Sequence, residues 1–240
     1  MKKQKEYHQS MQPYLDGQVI LIDKPLKWTS FDIIKKVRYQ TRIAKVGHAG
    51  TLDPLATGLL IVCTGKFTKQ INDYMGMEKE YTGTITLGAK TPTFDLESEP
   101  TNITSLENIT PQKVLDATAQ FTGAIMQMPP MHSAIKKDGQ RLYLAARNGE
   151  EVEIDPRPVT IYAFEITNIE LPIVHFRVAC STGTYIRSLA NDFGAALGVG
   201  GYLSSLRRTK IGSFLVEDAM QITAFEQHIV ALKGETNSKL

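Results

Sequence analysis

One stretch of the chain gathers backbone-shaping residues around a single carboxylate: Gly47-His48-Ala49-Gly50-Thr51-Leu52-Asp53-Pro54-Leu55-Ala56-Thr57-Gly58. Three glycines and a proline in a dozen residues dictate a tight main-chain path that a ligand can approach closely. Asp53 sits in the middle, stiffened by Pro54. A carboxylate displayed on a loop above a rigid scaffold can serve as nucleophile or base. On spacing alone, the same residues also read as a plain turn with a surface histidine at His48.

A second stretch is Ser181-Thr182-Gly183-Thr184-Tyr185-Ile186-Arg187-Ser188-Leu189-Ala190-Asn191-Asp192. Thr182 or Thr184 can cap a helix here, leaving Tyr185 and Arg187 in its first turn. The helix dipole opposes an arginine at that place, so Arg187 needs another reason to be there. A carboxylate partner across the fold would supply one; otherwise its stem lies along the surface.

The elements that must position these groups are legible in outline. Gln18 to Ile22 reads as a buried strand ending at Asp23-Lys24-Pro25. Thr29 and Asp32 give a T-x-x-D helix start, and Phe31, Ile33, Ile34 and Val37 form a helical stripe to about Tyr39. Val46 to Gly58 is loop-like, and Leu59 to Cys63 is apolar enough for a central strand. A short helix is expected around Lys66–Met75, a strand at Tyr81–Leu87 and a helix at Pro111–Phe121. Met128 to Lys136, with Pro129-Pro130, must be extended or turned. Gln140 to Arg147 reads as a helix closed by Asn148-Gly149. Val159–Leu171 and Ile173–Ala179 are a pair of long strands, Thr184–Leu197 a helix and Thr209–Leu215 a strand. Strands with helices interspersed irregularly predict an α+β fold with a mixed, mainly antiparallel sheet flanked by helices. Residues 1–17 are expected as a flexible tail, 18–216 as the catalytic domain and 217–240 as a helical tail containing Phe225 and Ile229 to Leu232.

Bulk properties bound the class. The 240 residues are 42% hydrophobic and 22% charged, ordinary for a globular chain, and no apolar run is long enough to span a bilayer. The basic start MKKQKEYHQSMQ has no apolar stretch behind it, as a secretory signal would. Cys63 and Cys180 lie far apart and outside metal spacing, which suits a reducing cytoplasm. Net charge is only +2, but residues 1–48 hold ten Lys or Arg against four Asp or Glu. A clustered positive face can neutralise phosphates; an unevenly charged solvated surface accounts for the counts equally.

GHAGTLDPLATG taken with STGTYIRSLANDFG resembles the TruB family of tRNA pseudouridine synthases. Asp23-Lys24-Pro25 with Trp28-Thr29-Ser30 resembles the family's K-P-x-G-x-T-S signature, and Lys79-Glu80-Tyr81 its K-x-Y strand. Met128-Pro129-Pro130 through Ser133-Ala134-Ile135-Lys136 resembles its P-P-x-x-S-A-x-K segment, followed by Gly139 and Tyr143 to Arg147. Leu206-Arg207-Arg208-Thr209 with Gly212 and Phe214 resembles the closing segment. The blocks are collinear over roughly residues 18 to 215. Lys27 departs from the family's usual glycine, and Met131-His132 stands where an aromatic is common. The chain ends about 25 residues after Phe214, too soon for the separate C-terminal RNA-binding domain of many bacterial members.

The resemblance implies a pseudouridine synthase fold with a central RNA-binding cleft, and isomerisation of uridine 55 in the tRNA T-loop. It implies a flipped base, no cofactor, no metal, no membrane and no obligate protein partner, in a cytoplasmic monomer. It makes Asp53 the nucleophile, Arg187 the cation that keeps it ionised, and Tyr81 the ring that stacks on the uracil. Tyr185 and Leu206 would line the base pocket, and His48 would meet the extruded nucleotide. Lys24, Lys79, Arg141, Arg147, Arg207 and Arg208 are expected near phosphates, though each alone reads equally as a solvated charge. Two rivals exist. A non-catalytic tRNA-binding or folding module would be indifferent to Asp53→Asn. An aspartyl-phosphate hydrolase or phosphotransferase would need further carboxylates for Mg²⁺, and the Asp53 loop offers none.

Overall fold

The computed structural model describes residues 8–131, 136–137, 140–141 and 154–237. A 3₁₀ turn at Gln9–Met11 leads into α1 (Gln12–Asp16). Pro13 sits in its first turn, where a missing N–H is tolerated. Met11 and Tyr14 are core residues, so the flexible tail expected through residue 17 is corrected: this short helix has an apolar face to cover. β1 (Val19–Lys24) follows, then α2 (Ser30–Thr41). α2 carries the expected capping box. Thr29 Oγ1 accepts from the Asp32 N–H at 3.0 Å, and the Asp32 carboxylate accepts from the Thr29 N–H at 3.1 Å. Its buried face is Ser30, Ile33, Ile34, Val37 and Thr41. Phe31, expected in that stripe, is 52% exposed; Ser30 takes the inward place because its hydroxyl has a buried partner.

β2 (Val46–Ala49) and β3 (Ala56–Thr64) reduce the loop expected over residues 46–58 to residues 50–55. A 3₁₀ stretch (Gly65–Gln70) precedes α3 (Ile71–Gly76), β4 (Lys79–Leu87), α4 (Pro111–Asp116) and β5 (Gly123–Gln127). β6 (Lys136–Lys137) pairs antiparallel with β7 (Gln140–Arg141). The helix expected from Gln140 is therefore strand at its first two residues, and the rest of it lies outside the described residues. The expected long pair is β8 (Arg157–Glu170) and β9 (Ile173–Cys180), with a cis Leu171–Pro172 bond between them. Then come α5 (Ile186–Ala196), β10 (Gly201–Ile211), β11 (Phe214–Leu215), β12 (Met220–Gln221) and α6 (Ile222–Asn237). β10 starts well before the expected Thr209 and stops where Gly212, at φ 55°, turns the chain into β11.

The chain divides into two compact units. The first comprises Met1–Lys79 with Arg207–Leu240, and the second Glu80–Leu206. In the first, β1 runs antiparallel to β3 from Val19 opposite Cys63 to Lys24 opposite Gly58, β2 lies antiparallel to β3, and β12 lies parallel to β1. Alternation along β3 sends Leu60 and Val62 to a cluster with Ile20, Ile22, Ile33, Ile34, Val37, Phe225 and Ile229. Leu59, Ile61 and Cys63 face a second cluster with Ala49, Ile211 and Val216. A strand covered on both faces is what the run LLIVC encodes. α6, expected as a tail, supplies Phe225 and Ile229 to the first cluster and is integral to it.

In the second unit, β8 pairs antiparallel with both β5 and β9. Phe164, Phe176, Phe193 and Phe121 meet edge to face, with ring centroids 5.3 to 6.4 Å apart. These contacts seat α5 on the strands. Both units mix strands, mainly antiparallel, with flanking helices, as the α+β reading expects.

Candidate active site

Asp53 lies partly exposed in the 50–55 loop of the first unit. Its carbonyl accepts from the Ala56 N–H at 3.1 Å, closing a turn with Pro54 at the second position. The turn and the display of a carboxylate are thus the same object. Neighbouring groups hold the loop almost residue by residue. Arg208 donates from Nη2 to the Gly50 carbonyl at 3.2 Å and from Nε to the Leu59 carbonyl at 2.7 Å. Ser30 Oγ accepts from the Leu52 N–H at 2.8 Å and donates to the Leu52 carbonyl at 3.1 Å. The Pro54 carbonyl accepts from the Lys27 N–H at 2.8 Å and from Lys24 Nζ at 3.5 Å. At the far end Gly58, with φ 102°, lies against the Arg208 backbone, where an added Cβ would stand 2.3 Å from the carbonyl oxygen. Only glycine fits there.

This bracing corrects the roles expected of the basic residues. Lys24 is 0% exposed, and its ammonium also donates to the carbonyls of Pro25 at 3.0 Å and Trp28 at 2.5 Å. Lys79 is buried and donates to the Met75 carbonyl and, at 2.5 Å, to that of Met77. Arg208 is buried as described. Arg207 grips Asp23 with two hydrogen bonds, of 3.0 and 2.8 Å. Lys24, Lys79 and Arg208 therefore organise backbone rather than meet phosphate: unpaired carbonyls near them needed donors. The side chains of Arg141 and Arg147, and the Ser133 to Ile135 segment, lie outside what is described.

The charges around the loop interact. Burial pulls the Lys24 ammonium down to about 8; Asp53 is the strongest charge opposing that, Arg208 adds to it, and Asp32 opposes it weakly. Burial likewise holds His48 below the usual histidine range, a hydrogen bond with the Gly50 backbone partly offsets it, and Arg208 lowers it further. His48 thus stands as a neutral ring at physiological pH.

The second unit carries the other expected residues. Tyr185 is the N-cap of α5 by backbone conformation. Neither expected threonine caps it, since Thr184 Oγ1 donates instead to the Ser181 carbonyl at 2.9 Å. Gln127 anchors the helix start instead, a role that sequence reasoning missed. Its side chain accepts from the Tyr185 N–H at 2.8 Å and donates to the Tyr185 carbonyl at 3.0 Å. Arg187 is 5% exposed; Nη1 donates to the Thr93 carbonyl at 3.2 Å, and Nε stands 3.7 Å from Asp95 Oδ2. Asp95 is thus a carboxylate partner for this arginine, also missed. In sequence it stands directly behind Thr91-Pro92-Thr93-Phe94; in the structure Phe94 adopts a left-handed φ of 63° there. Tyr81 on β4 is 9% exposed, and Leu206 is half-buried at the end of this unit's part of β10. Among the described residues no group of acidic, histidine or cysteine side chains could hold a metal, and no helix is long and apolar enough to cross a membrane.

Residues 36–186 match the N-terminal domain of the TruB family pseudouridylate synthases, and residues 187–240 match the tRNA pseudouridylate synthase B C-terminal domain. The tRNA pseudouridine synthase B of Flavobacterium johnsoniae is 55% identical over 223 residues, covering 90% of this chain and 97% of that one. That of Chloroherpeton thalassium is 50% identical over 220 residues, covering 90% and 91%. A chain in the crystal structure of a Cbf5-Nop10-Gar1 complex is similar, with a TM-score of 0.74 and 29% identity over 95% of this chain and 58% of that one. A chain of an H/ACA RNP bound to a substrate RNA containing 2'-deoxyuridine gives 0.70 and 26% over 98% and 62%. The present chain spans less than two thirds of either solved chain.

Proposed function

Because the chain belongs to the TruB family of pseudouridylate synthases, we propose that it isomerises one uridine of tRNA, uridine 55 of the T-loop, with Asp53 as nucleophile. The observation that carries this reading is the bracing of the Asp53 loop at Gly50, Leu52 and Pro54. A nucleophile that must meet one atom of a rotated nucleoside gains from a path fixed before substrate arrives.

In the reaction an Asp53 oxygen attacks the nucleoside at C1′ of the ribose or C6 of the uracil. The N1–C1′ bond breaks, the uracil turns, C5 bonds to C1′, and the C5 hydrogen leaves as a proton. Nothing is oxidised and no group is transferred elsewhere, so the step needs no cofactor. Extruding the base costs a few kcal/mol, and stacking on an aromatic ring, here Tyr81, returns roughly 1–3 kcal/mol. Arg187 keeps the carboxylate anionic once substrate excludes water, opposing the desolvation that would protonate it. Tyr185 and Leu206 border the base, and His48 meets the nucleotide as a neutral hydrogen-bonding ring. One chain acting alone on a folded T-arm suffices, since RNA loops are recognised by shape and splayed bases.

The test is incubation with a tRNA transcript tritiated at uracil C5, followed by mapping of the product. Tritium should pass to water in step with pseudouridine at position 55, with EDTA present throughout. Retention of the label, or pseudouridine elsewhere only, would sink the assignment.

A further inference from the structure

α2 has two differentiated faces. Beside its buried side runs a stripe of alternating rings and cations: Trp28 just before the helix, which also packs against the core, then Phe31, Lys35, Lys36, Tyr39 and Arg42. Phe31 is 52% and Tyr39 64% exposed. Each ring carries its own cation: Lys36 Nζ stands 6.0 Å from the Trp28 ring centroid, Lys35 Nζ 5.0 Å from that of Phe31, and the Arg42 guanidinium 4.9 Å from that of Tyr39. Lys27, Trp28, Asp32, Lys35, Lys36 and Tyr39 line one pocket.

Charge on this face is one-sided. Lys27, Lys35, Lys36, Arg42 and Lys233 are five cations, against two carboxylates, Asp32 and Glu226, that bond to Lys35 and Lys36. The cations crowd enough that Arg42 helps hold the Lys233 ammonium below its usual range, after burial, the larger cause. Backbone strain marks the same place. Lys27 has a left-handed φ of 66°, a conformation that suits glycine and that a lysine adopts only against steric resistance. A cation at such a position is presented to the same pocket as Trp28 and Tyr39.

We propose that this face of α2, from Lys27 to Arg42, binds unpaired RNA nucleotides, with bases on its rings and phosphates on the neighbouring cations. A ring with a cation beside it is the complement of a nucleotide, which offers a flat base and a phosphate together. The pairing recurs three times from Trp28 to Arg42, along a helix that rises about 1.5 Å per residue. Phe31 and Tyr39 thus lie about 12 Å apart along the axis, a span of two to three extended nucleotides. A protein partner would instead want an apolar centre depleted of lysine. The face adjoins the Asp53 loop through the Lys27 N–H, which donates to the Pro54 carbonyl at 2.8 Å; the identity of the RNA, an unpaired part of the tRNA substrate, rests on the proposed function.

Trp28 is the sole tryptophan of the chain, so its emission reports directly on this face. The probe is a uridine octamer titrated into the full chain carrying Asp53→Asn, which separates binding from turnover. Quenching should saturate and weaken as salt rises, with a log–log slope near −0.7 per phosphate contact. Lys27→Gly relieves the strained backbone, so its fold is secure; it should weaken octamer binding about threefold to tenfold and flatten that slope by about 0.7. Tyr39→Ala should weaken binding about tenfold. A saturating T-arm stem-loop should leave the quenching in place. Absence of quenching, loss of it when the stem-loop is added, indifference to both substitutions, or a response only to anionic phospholipid vesicles would each overturn the proposal. Should octamer binding hold while tritium release from tRNA fails, this site stands and the catalytic reading falls.

Discussion

The hydroxyl of Ser30 holds both main-chain polar groups of Leu52, accepting from its N–H at 2.8 Å and donating to its carbonyl at 3.1 Å, with both residues buried. A capped helix is thereby fastened to the loop one residue before Asp53. Replacing Ser30 with Ala leaves two buried main-chain groups unpaired, each costing about 1–3 kcal/mol. Ser30→Ala should lose about 2–4 kcal/mol in urea denaturation. In the protein that remains folded, kcat should fall more than tRNA affinity does. An unchanged kcat would show that the loop needs no such fastening.

Asp53→Asn keeps the side chain's size and removes its charge and nucleophilicity. Tritium release should disappear while tRNA affinity stays within about tenfold, because a group that acts in the chemical step contributes to kcat rather than to binding. Measurable turnover by this variant would remove Asp53 from the reaction.

Arg187 and Asp95 form a buried pair, and removing one partner of such a pair costs about 3–5 kcal/mol. Asp95→Asn should therefore destabilise the chain by an amount of that order, read as a lowered urea midpoint. Arg187→Ala should nearly abolish turnover. If Asp95→Asn proved as stable as the parent, the 3.7 Å ion pair would carry no energetic weight.

Lys24 gives a pH signature. Its ammonium titrates near 8 in the folded chain, against 10.5 ordinarily. Below pH 8 it is charged in both folded and unfolded states, and the desolvation penalty is present in full. Between about 8 and 10.5 the unfolded chain binds more protons than the folded one, so this residue's contribution to stability rises with pH. The 2.5-unit difference corresponds to about 3 kcal/mol at most. Lys24→Met lacks the group, so the wild type should gain on it across that window. Parallel stability profiles from pH 7 to 10 would contradict the buried setting of this lysine.

Elements whose signals are local were legible. The Thr29–Asp32 capping box needs only residues three apart, and the LLIVC run needs only its own composition to demand cover on both faces. The Asp53-Pro54 turn was equally plain. What escaped the reading depends on partners distant in sequence. Arg208 looks like a surface cation because nothing local reveals that carbonyls of another segment await its protons. Asp95 sat within an acidic stretch, and its pairing with Arg187 spans 92 positions. Gln127, which ties down both main-chain groups of Tyr185, resembles any strand-end glutamine. Met11 and Tyr14 had too short a helix to announce a core face.

Arg208 braces a loop whose residues precede it by about 150 positions. On a translating ribosome the Asp53 segment emerges long before the guanidinium that fastens Gly50 and the backbone that abuts Gly58. A nascent chain therefore carries Asp53 on a loop held only at Leu52 and Pro54 through most of its synthesis, and the fastening at Gly50 and Gly58 comes only after the closing strand has left the exit tunnel.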